Sequence, residues 1–195
     1  MEHRIYNKAM YQFDSPEDSL WEATPGNRSA ISHKLSGDQI SDIAIIGGGY
    51  TGLSTAYHLA KKYNITSSVI DAGHIGWGAS GRNGGFCSMG GTAESIKALI
   101  KKYGLEDVKK YYQCQIEAIE LVRKIIIDED IDINIQGKAE IEVARSSRDH
   151  EVLASYARLR QDVLGLKTNI ISRDDFAENY FDSTEQFGAI SVEPT

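Results

Sequence analysis

The stretch IAIIGGGYTGLSTAYHLAKK, from Ile43 to Lys62, decides the fold class of this 195-residue chain. It opens with a short continuous apolar run at 43–46, which is typical of a parallel strand buried on both faces. Three glycines follow, and from Thr51 to Lys62 the apolar residues recur at helical spacing. A second short strand is predicted at Ser68–Ile70 and ends at Asp71. The order strand, glycine turn, helix, strand predicts one βαβ unit of about 30 residues.

The glycine turn contains the pattern G-x-G-x-x-G at Gly47, Gly49 and Gly52. The first glycine permits a tight turn, the second lets a pyrophosphate approach the main chain, and the third allows close helix–strand packing. The helix that begins here would present N–H groups and a partial positive charge to phosphates. Asp71 follows about 20 residues later, where a carboxylate binds ribose hydroxyls and repels a 2′-phosphate. The spacing therefore predicts a site for NAD or FAD, the alternative being a turn that binds no ligand.

A second glycine-rich segment, IGWGASGRNGG at 75–85, follows the second strand. Its glycines allow successive main-chain N–H groups to converge on an anion. Arg82 adds a cation, and Ser80 and Asn83 add hydrogen-bonding groups. A cation near an isoalloxazine ring favours the anionic reduced flavin, so this segment favours FAD over NAD. Composition alone leaves open a flexible loop.

Composition excludes several classes of protein. The chain has 21 basic and 28 acidic residues, a net charge of −7 and no basic run, which argues against nucleic-acid binding. No apolar run approaches the roughly 20 residues of a membrane span, and the N-terminus has no apolar signal segment. Cys87 and Cys114 lack metal-site spacing, so we expect two reduced thiols, no metal and a cytoplasmic location. The sequence leaves the oligomeric state open.

Periodicity predicts the elements beyond the glycine-rich region. Near residue 130 the apolar period changes from helical spacing to two, which indicates strands covered on one face, as in an antiparallel sheet. On the long helix before this point, a stripe from Leu105 to Ile126 that includes Val122 is a predicted core face. The predicted helices lie at 92–103, 105–127, 150–164 and after a capping Ser172, and the predicted strands at 131–135, 138–143 and 169–171.

The predicted fold class is α/β. An N-terminal extension at 1–40, with apolar anchors such as Trp21 draped over the next domain, precedes a Rossmann-like domain with a parallel sheet at 41–130. Residues 131–195 would begin an α+β domain with an antiparallel sheet. Because about 65 residues are thin for an independent core, we expect the chain to be the N-terminal part of a larger protein.

Two strings, IIGGGYTGLSTAYHLA at 45–60 and VIDAGHIGWGASGRNGG at 69–85, resemble the FAD-dependent oxidoreductases of the D-amino acid oxidase and glycine/sarcosine oxidase family. The γ-glutamylputrescine oxidase-like branch is the most similar, because there a segment similar to SLWEAT at 19–24 also precedes the first strand. The resemblance is sharp over 42–91, and beyond residue 105 it rests on the order of the elements.

The resemblance implies FAD as the cofactor and a set of residues around it. Asp71 would hold the adenosine ribose, a position where the family more often has glutamate. The region from 131 would begin the substrate domain, whose sheet roofs the flavin. No motif present assigns a catalytic acid or base, or a covalent flavin link to Cys87, and His74 is interpreted as a turn residue. The implied FAD-binding residues are Gly47, Gly49, Tyr50, Thr51, Gly52, Asp71, Ala79, Ser80, Arg82, Asn83 and Gly84.

The activity that the resemblance implies is oxidation of a small amine or amino acid at a C–N bond. Hydride would pass to the flavin, and oxygen would be the electron acceptor. The alternative is a dinucleotide-binding fragment or remnant without turnover, and a bound-flavin spectrum and activity of the longer protein distinguish the two. We expect the 195 residues alone to be inactive.

Overall fold

The computed structural model describes residues 7–13, 19–24 and 33–195. Contacts divide the chain into two compact units, Met1–Gly85 and Phe86–Thr195. The first contains a two-stranded parallel sheet and the second a three-stranded antiparallel sheet. The predicted boundary near residue 130, between an FAD-binding domain and a substrate domain, stays a prediction. The two compact units are defined by contacts within the chain and not by function.

The first unit is built on the predicted βαβ arrangement. Strands β1 (Ala44–Ile46) and β2 (Ser68–Ile70) are parallel. The first amphipathic helix after the glycine turn, Tyr50–Tyr63, connects them and ends at Asn64, whose left-handed backbone forms the C-cap. Strand, glycine turn, helix and second strand therefore follow in the predicted order.

Short helices flank this arrangement. Helix α1 (Leu20–Ala23) begins at Ser19, whose Oγ accepts a hydrogen bond from the Glu22 amide at 3.1 Å. Two 3₁₀ helices lie at Lys8–Tyr11 and Ala79–Gly81. The helix at Tyr50–Tyr63 is called α2 from here on. The other parts of the predicted N-terminal extension, at 1–6, 14–18 and 25–32, lie outside the described residues.

The parallel sheet is not covered on both faces, contrary to the expectation from its continuous apolar run. Ile46 is 91% exposed and Ile70 is 39% exposed, while the central residue of each strand is half-buried. Helix α2 packs against both strands. Among the described residues of this unit no second layer covers the opposite face, so the apolar side chains that point there stay exposed.

The second unit is built on the antiparallel sheet that the change of period predicted. Its central strand, β5 (Ala189–Glu193), pairs with β3 (Glu140–Val143) on one side and β4 (Lys167–Ile171) on the other. Helix α5 (Ser147–Leu164) connects β3 to β4 and packs on β4 and β5. Residues 189–192 are buried because β5 has a strand on each side and α5 across it.

Two apolar clusters form the core of this unit. Helices α3 (Ile96–Tyr103) and α4 (Leu105–Asp128) are separated by Gly104, which ends α3 as predicted, and they pack against each other. Helix α6 (Arg173–Asn179) begins at Ser172, whose Oγ accepts from the Asp175 amide at 3.1 Å, as the sequence predicted. One cluster contains Ala157, Leu166, Ile190 and Val192, and the other contains Ile96, Leu99 and Val108.

Three predictions beyond residue 91 are wrong. Residues 131–135 form no strand, because no described segment pairs with their backbone. The helix predicted from residue 92 begins at Ile96, because Ser95 Oγ accepts from the Ala98 amide at 3.2 Å and caps it there. The stripe on α4 is buried at Val108 and Ile119 but 43% exposed at Val122, because α3 and α5, the helices that pack on it, cover only part of the 24-residue α4. Within the described ranges, no helix is long and apolar enough to cross a bilayer.

Candidate functional site

The glycine turn between β1 and α2 requires two of its three motif glycines for backbone reasons. Gly47 has φ +107°, a conformation that residues with a side chain rarely adopt. Its N–H donates to the carbonyl oxygen of Ile70 at 2.8 Å, which ties the turn to the end of β2. A Cβ on Gly52 would lie 1.9 Å from the carbonyl oxygen of Gly47, so α2 can approach the turn this closely only with glycine there.

The third glycine lies where the turn meets the second glycine-rich segment. Gly49 is the N-cap of α2, and a Cβ there would lie 2.8 Å from Ser80 Oγ. That hydroxyl accepts a hydrogen bond from the Tyr50 amide at 3.0 Å. The next amides of the first turn, those of Thr51 and Gly52, have no acceptor inside the helix and carry its partial positive charge.

Asp71 binds the glycine turn directly. Its Oδ2 accepts a hydrogen bond from the Gly48 amide at 2.6 Å, and its Oδ1 accepts from the Gly73 amide at 2.8 Å. An ionised carboxylate has about four acceptor positions, so about two remain for other donors. Asp71 therefore stabilises the turn and keeps the capacity to bind hydroxyl groups.

Polar side chains give the second glycine-rich segment a defined shape. Arg82 Nε donates to the carbonyl oxygen of Trp77 at 2.7 Å, and its guanidinium lies 4.3 Å from the centroid of the Trp77 ring. Asn83 Nδ2 donates to the carbonyl oxygen of Ser80 at 2.8 Å, and Asn83 Oδ1 accepts from the Gly85 amide at 2.7 Å. These bonds disfavour the flexible-loop alternative.

The two glycine-rich segments lie side by side. The Gly76 amide donates to the carbonyl oxygen of Gly48 at 3.0 Å, and Asn83 Nδ2 lies 3.4 Å from the Tyr50 hydroxyl, which accepts from it. The structure thus brings the predicted residues of the turn, Ser80 and Asn83 together. It directs Arg82 toward Trp77, and it places Ala79 and Gly84 at exposed positions of the loop.

Helix α1 supplies contacts that no motif in the sequence had indicated. Trp21 Nε1 donates to the carbonyl oxygen of Asn83 at 2.7 Å. His74 Nε2 lies 2.7 Å from Glu22 Oε1, so the residue interpreted as a turn histidine is also the partner of a carboxylate. The scattered aromatic residues of the N-terminal extension and the family resemblance of residues 19–24 were the signals in the sequence, and neither indicated which residues α1 would contact.

Comparison with known proteins shows which family this chain matches. The family model described as "DAO: FAD dependent oxidoreductase" matches residues 42–192. Gamma-glutamylputrescine oxidoreductase of Escherichia coli (strain K12) is 35% identical over 114 residues, which are 58% of this chain and 26% of that protein. Sarcosine oxidase subunit beta of Rhizobium meliloti (strain 1021) is 51% identical over 43 residues, which are 22% of this chain and 10% of that protein.

A solved structure shows the same fold at low sequence identity. Glycine oxidase from Bacillus cereus ATCC 14579 is 20% identical with a TM-score of 0.55, over 80% of this chain and 39% of that chain. The matches thus span 26% of the E. coli relative and 39% of this neighbour, well under the length of either protein.

The residues present fit the cofactor that the family model names. Gly49 leaves the main chain accessible where a side chain would intrude, and Asp71 retains acceptor capacity beside the turn. The α2 N-terminus supplies the amide donors that a pyrophosphate requires. With the family model matched across both compact units, the chain belongs to the DAO family of FAD dependent oxidoreductases, and its cofactor is FAD.

Proposed function

We propose that the protein carrying this chain oxidises a small amine or amino acid at a C–N bond, with FAD as hydride acceptor and oxygen as electron acceptor. The observation that carries the proposal is the convergence of the Gly47–Gly52 turn, the Asp71 carboxylate and the second glycine-rich segment. The names of two relatives, gamma-glutamylputrescine oxidoreductase and sarcosine oxidase subunit beta, support an amine or amino acid as the substrate.

The glycine turn would hold the pyrophosphate of the cofactor. Main-chain amides at the start of α2 are donors that favour anions, and the missing side chain of Gly49 permits their close approach. Asp71 would accept hydrogen bonds from the adenosine ribose hydroxyls. The residues assigned to this part of the site are Gly47, Gly49, Tyr50, Thr51, Gly52 and Asp71.

The second glycine-rich segment would line the pyrophosphate, the ribityl chain and the edge of the flavin. Ser80 bonds the first amide of α2, so it would help to orient the pyrophosphate end of the site. Arg82 would contribute a positive charge, which stabilises an anionic partner nearby. The residues assigned to this part are Ala79, Ser80, Arg82, Asn83 and Gly84.

FAD, when bound, supplies the redox chemistry by accepting a hydride from the substrate carbon next to nitrogen. The oxidised substrate then hydrolyses to a carbonyl compound and ammonia or a shorter amine. The residues of this chain bind and orient the cofactor. The antiparallel sheet of the second unit would form the beginning of the substrate domain, and no catalytic acid or base is assigned within these 195 residues.

The test uses the natural full-length protein that contains this chain. We expect purified protein to show flavin absorbance and to release peroxide with a substrate from a panel of sarcosine, glycine, D-alanine and γ-glutamylputrescine. Gly49→Val should abolish flavin copurification, because its side chain would occupy the space between the turn and Ser80. Gly90→Val is the matched control, since nothing lies within 4 Å of its Cβ position.

Three outcomes separate the alternatives. Normal flavin content in Gly49→Val would show that the turn does not hold FAD. A full-length protein that binds FAD but oxidises no amine or amino acid would contradict the proposed reaction. A full-length protein without flavin and without turnover would favour the non-catalytic remnant.

A further inference from the structure

The indole of Trp21 packs against the C-terminal end of the second glycine-rich segment. Its Nε1 donates to the carbonyl oxygen of Asn83 at 2.7 Å. The ring also lies against the backbone of Gly85, where a Cβ would be 2.4 Å from Cζ2 and 2.6 Å from Cη2 of Trp21. The main chain at 83–85 therefore contacts α1 through both a hydrogen bond and close packing.

A polar pair lies at His74, the residue just before the other end of the segment. Glu22 Oε1 lies 2.7 Å from His74 Nε2, and the imidazole N–H donates to the carboxylate. The Glu22 side chain is only 15% exposed and that of His74 is 34% exposed, so water competes for this hydrogen bond less than it would at an open surface. Ser19 caps α1 at the amide of Glu22, which keeps this residue at the helix start.

The middle of the segment is also covered by N-terminal residues. Phe13 packs edge-on against Trp77 with ring centroids 4.9 Å apart, and Arg82 stacks on the same indole. Trp77 is 6% exposed. N-terminal residues thus contact the segment near its start, its middle and its end, although they precede it by 52 to 64 positions in the sequence.

These contacts connect to the glycine turn through a chain of hydrogen bonds. Trp21 bonds the carbonyl of Asn83, the Asn83 side chain bonds the carbonyl of Ser80, and the Ser80 hydroxyl bonds the Tyr50 amide. The last of these groups belongs to the first turn of α2. The shape of the loop beside the α2 N-terminus therefore depends on α1.

We propose that residues 19–24 are a positioning strap, in which Trp21 and Glu22 hold the loop 74–85 in the shape that receives FAD. The inference rests on the proposed function for its ligand, and on the contacts of α1 for its geometry. Ordering a loop costs conformational entropy. A loop that is ordered before the cofactor arrives does not incur that cost on binding, so the strap increases affinity by preorganisation. Trp21 and Glu22 are positioning residues that act through Asn83 and His74.

The first test measures loop opening without flavin, in the apo form of the full-length protein. Trypsin cleaves after arginine, and Arg82 is held inside the loop by its bond to Trp77. Trp21→Phe keeps an aromatic ring but lacks the N–H donor, so cleavage after Arg82 should accelerate. Glu22→Ala should have the same effect, and Glu22→Gln, which keeps an acceptor for His74, should restore most of the protection. Leu20→Ala is the matched control on the same helix, with a side chain that is 68% exposed.

The second test measures FAD affinity and the unfolding temperature of the full-length protein together. Loss of one hydrogen bond should raise the FAD dissociation constant of Trp21→Phe by about 3- to 10-fold. The unfolding temperature should stay close to that of the parent, because a positioning role leaves the rest of the fold intact.

Unchanged cleavage after Arg82 and unchanged FAD affinity in both Trp21→Phe and Glu22→Ala would overturn the strap. Equal acceleration in Leu20→Ala would overturn it as well, because general destabilisation would then explain the result. If Trp21→Phe lowers the unfolding temperature, the test is the rate of cleavage after Arg82 in the two Glu22 variants. Faster cleavage in Glu22→Ala but not in Glu22→Gln supports the strap, and equal rates overturn it. Gly49→Val separates the two proposals: retained FAD binding there contradicts the proposed site, while the apo cleavage assay still tests the strap.

Discussion

Asp71 shows how one side chain can serve backbone structure and ligand binding together. Its two oxygens accept hydrogen bonds from the amides of Gly48, in the turn after β1, and Gly73, shortly after β2. The charge on the carboxylate strengthens such bonds relative to neutral ones. A substitution of Asp71 should therefore affect both the geometry of the turn and the proposed contact with ribose.

Asp71→Ala should weaken FAD binding by about 1.5–3 kcal/mol in the full-length protein, the range for hydrogen bonds to a charged group. It should also lower the unfolding temperature, because two amides of the turn lose their acceptor. The measurement is a flavin titration together with a thermal melt. An unchanged dissociation constant with a lowered unfolding temperature would mean that Asp71 acts on the turn alone and the ribose is held elsewhere.

Glu140 on β3 provides a residue-scale prediction on pH. Partial burial raises the pKa of its carboxyl, the neighbouring Glu142 raises it further, and Arg160 opposes both. A pKa raised by folding means that the folded state holds the proton more tightly. This group therefore favours folding below the ordinary glutamate pKa, and that contribution is lost as the pH rises through the raised value.

Glu140→Gln should accordingly raise the unfolding temperature at pH 7, because the amide carries no charge to desolvate. The gain should shrink as the pH falls through the raised pKa of Glu140 toward the ordinary glutamate pKa, because the parent carboxyl then becomes protonated. Thermal melts of the parent and the variant across this range provide the check. A gain of equal size at both ends would show that ionisation of Glu140 is not its cause.

At the scale of elements, helix ends are fixed by local N-caps, whereas the burial of apolar faces depends on packing against distant elements. Three helices of the second unit, α3, α5 and α6, begin at a serine whose hydroxyl accepts from an amide three residues later. Some apolar side chains of this unit are not buried. Ile127, near the C-terminal end of α4, and the isoleucines at 131, 133 and 135 in the segment after it are exposed. Helix ends are set within one turn, whereas a face is buried only by a distant element.

Ser172→Ala should destabilise the second unit by about 1 kcal/mol, a typical cost for loss of an N-cap. The cap orients α6, whose Phe176 is 1% exposed, so the effect should appear in the unfolding of the core. Ser155→Ala is the matched control, because its exposed hydroxyl bonds only a carbonyl of its own helix. Denaturant unfolding measures both, and equal losses would contradict a specific capping role.

At the scale of the whole molecule, both compact units expose large apolar side chains. Ile46 and Phe86 are 91% and 89% exposed, and Ile127 is 76% exposed. Exposed apolar patches and open strand edges favour association between chains. The matched relatives are much longer, since the matches cover 26% of one and 39% of another.

We therefore predict that residues 1–195 expressed alone form aggregates, bind FAD weakly and release no peroxide with amines. The full-length protein should be monodisperse and carry flavin, because further elements would cover the exposed faces and exclude water from the site. Size-exclusion chromatography, flavin absorbance and a peroxide assay on both forms make the comparison. A monodisperse, yellow 195-residue protein that oxidises an amine would contradict the prediction.

The sequence by itself determined the βαβ unit, the glycine turn and most helices. Each of these follows from residues that are neighbours in the chain. Gly47 and Gly52 are required by the geometry of one turn, and α4 is predicted by apolar residues that recur every three or four positions. The antiparallel character of the second sheet also followed from local alternation. Periodicity is a local signal, so local structure is what it predicts.

Only the tertiary structure decided which faces are covered and which distant groups meet. The alternation at 131–135 satisfies the strand pattern, but a strand also requires a partner for its backbone, and none of the described segments supplies one. The contacts of Trp21 with Asn83 and of Glu22 with His74 join residues 62 and 52 positions apart. No period in the sequence encodes such separations, because the free energy of these contacts depends on where the fold has placed both partners.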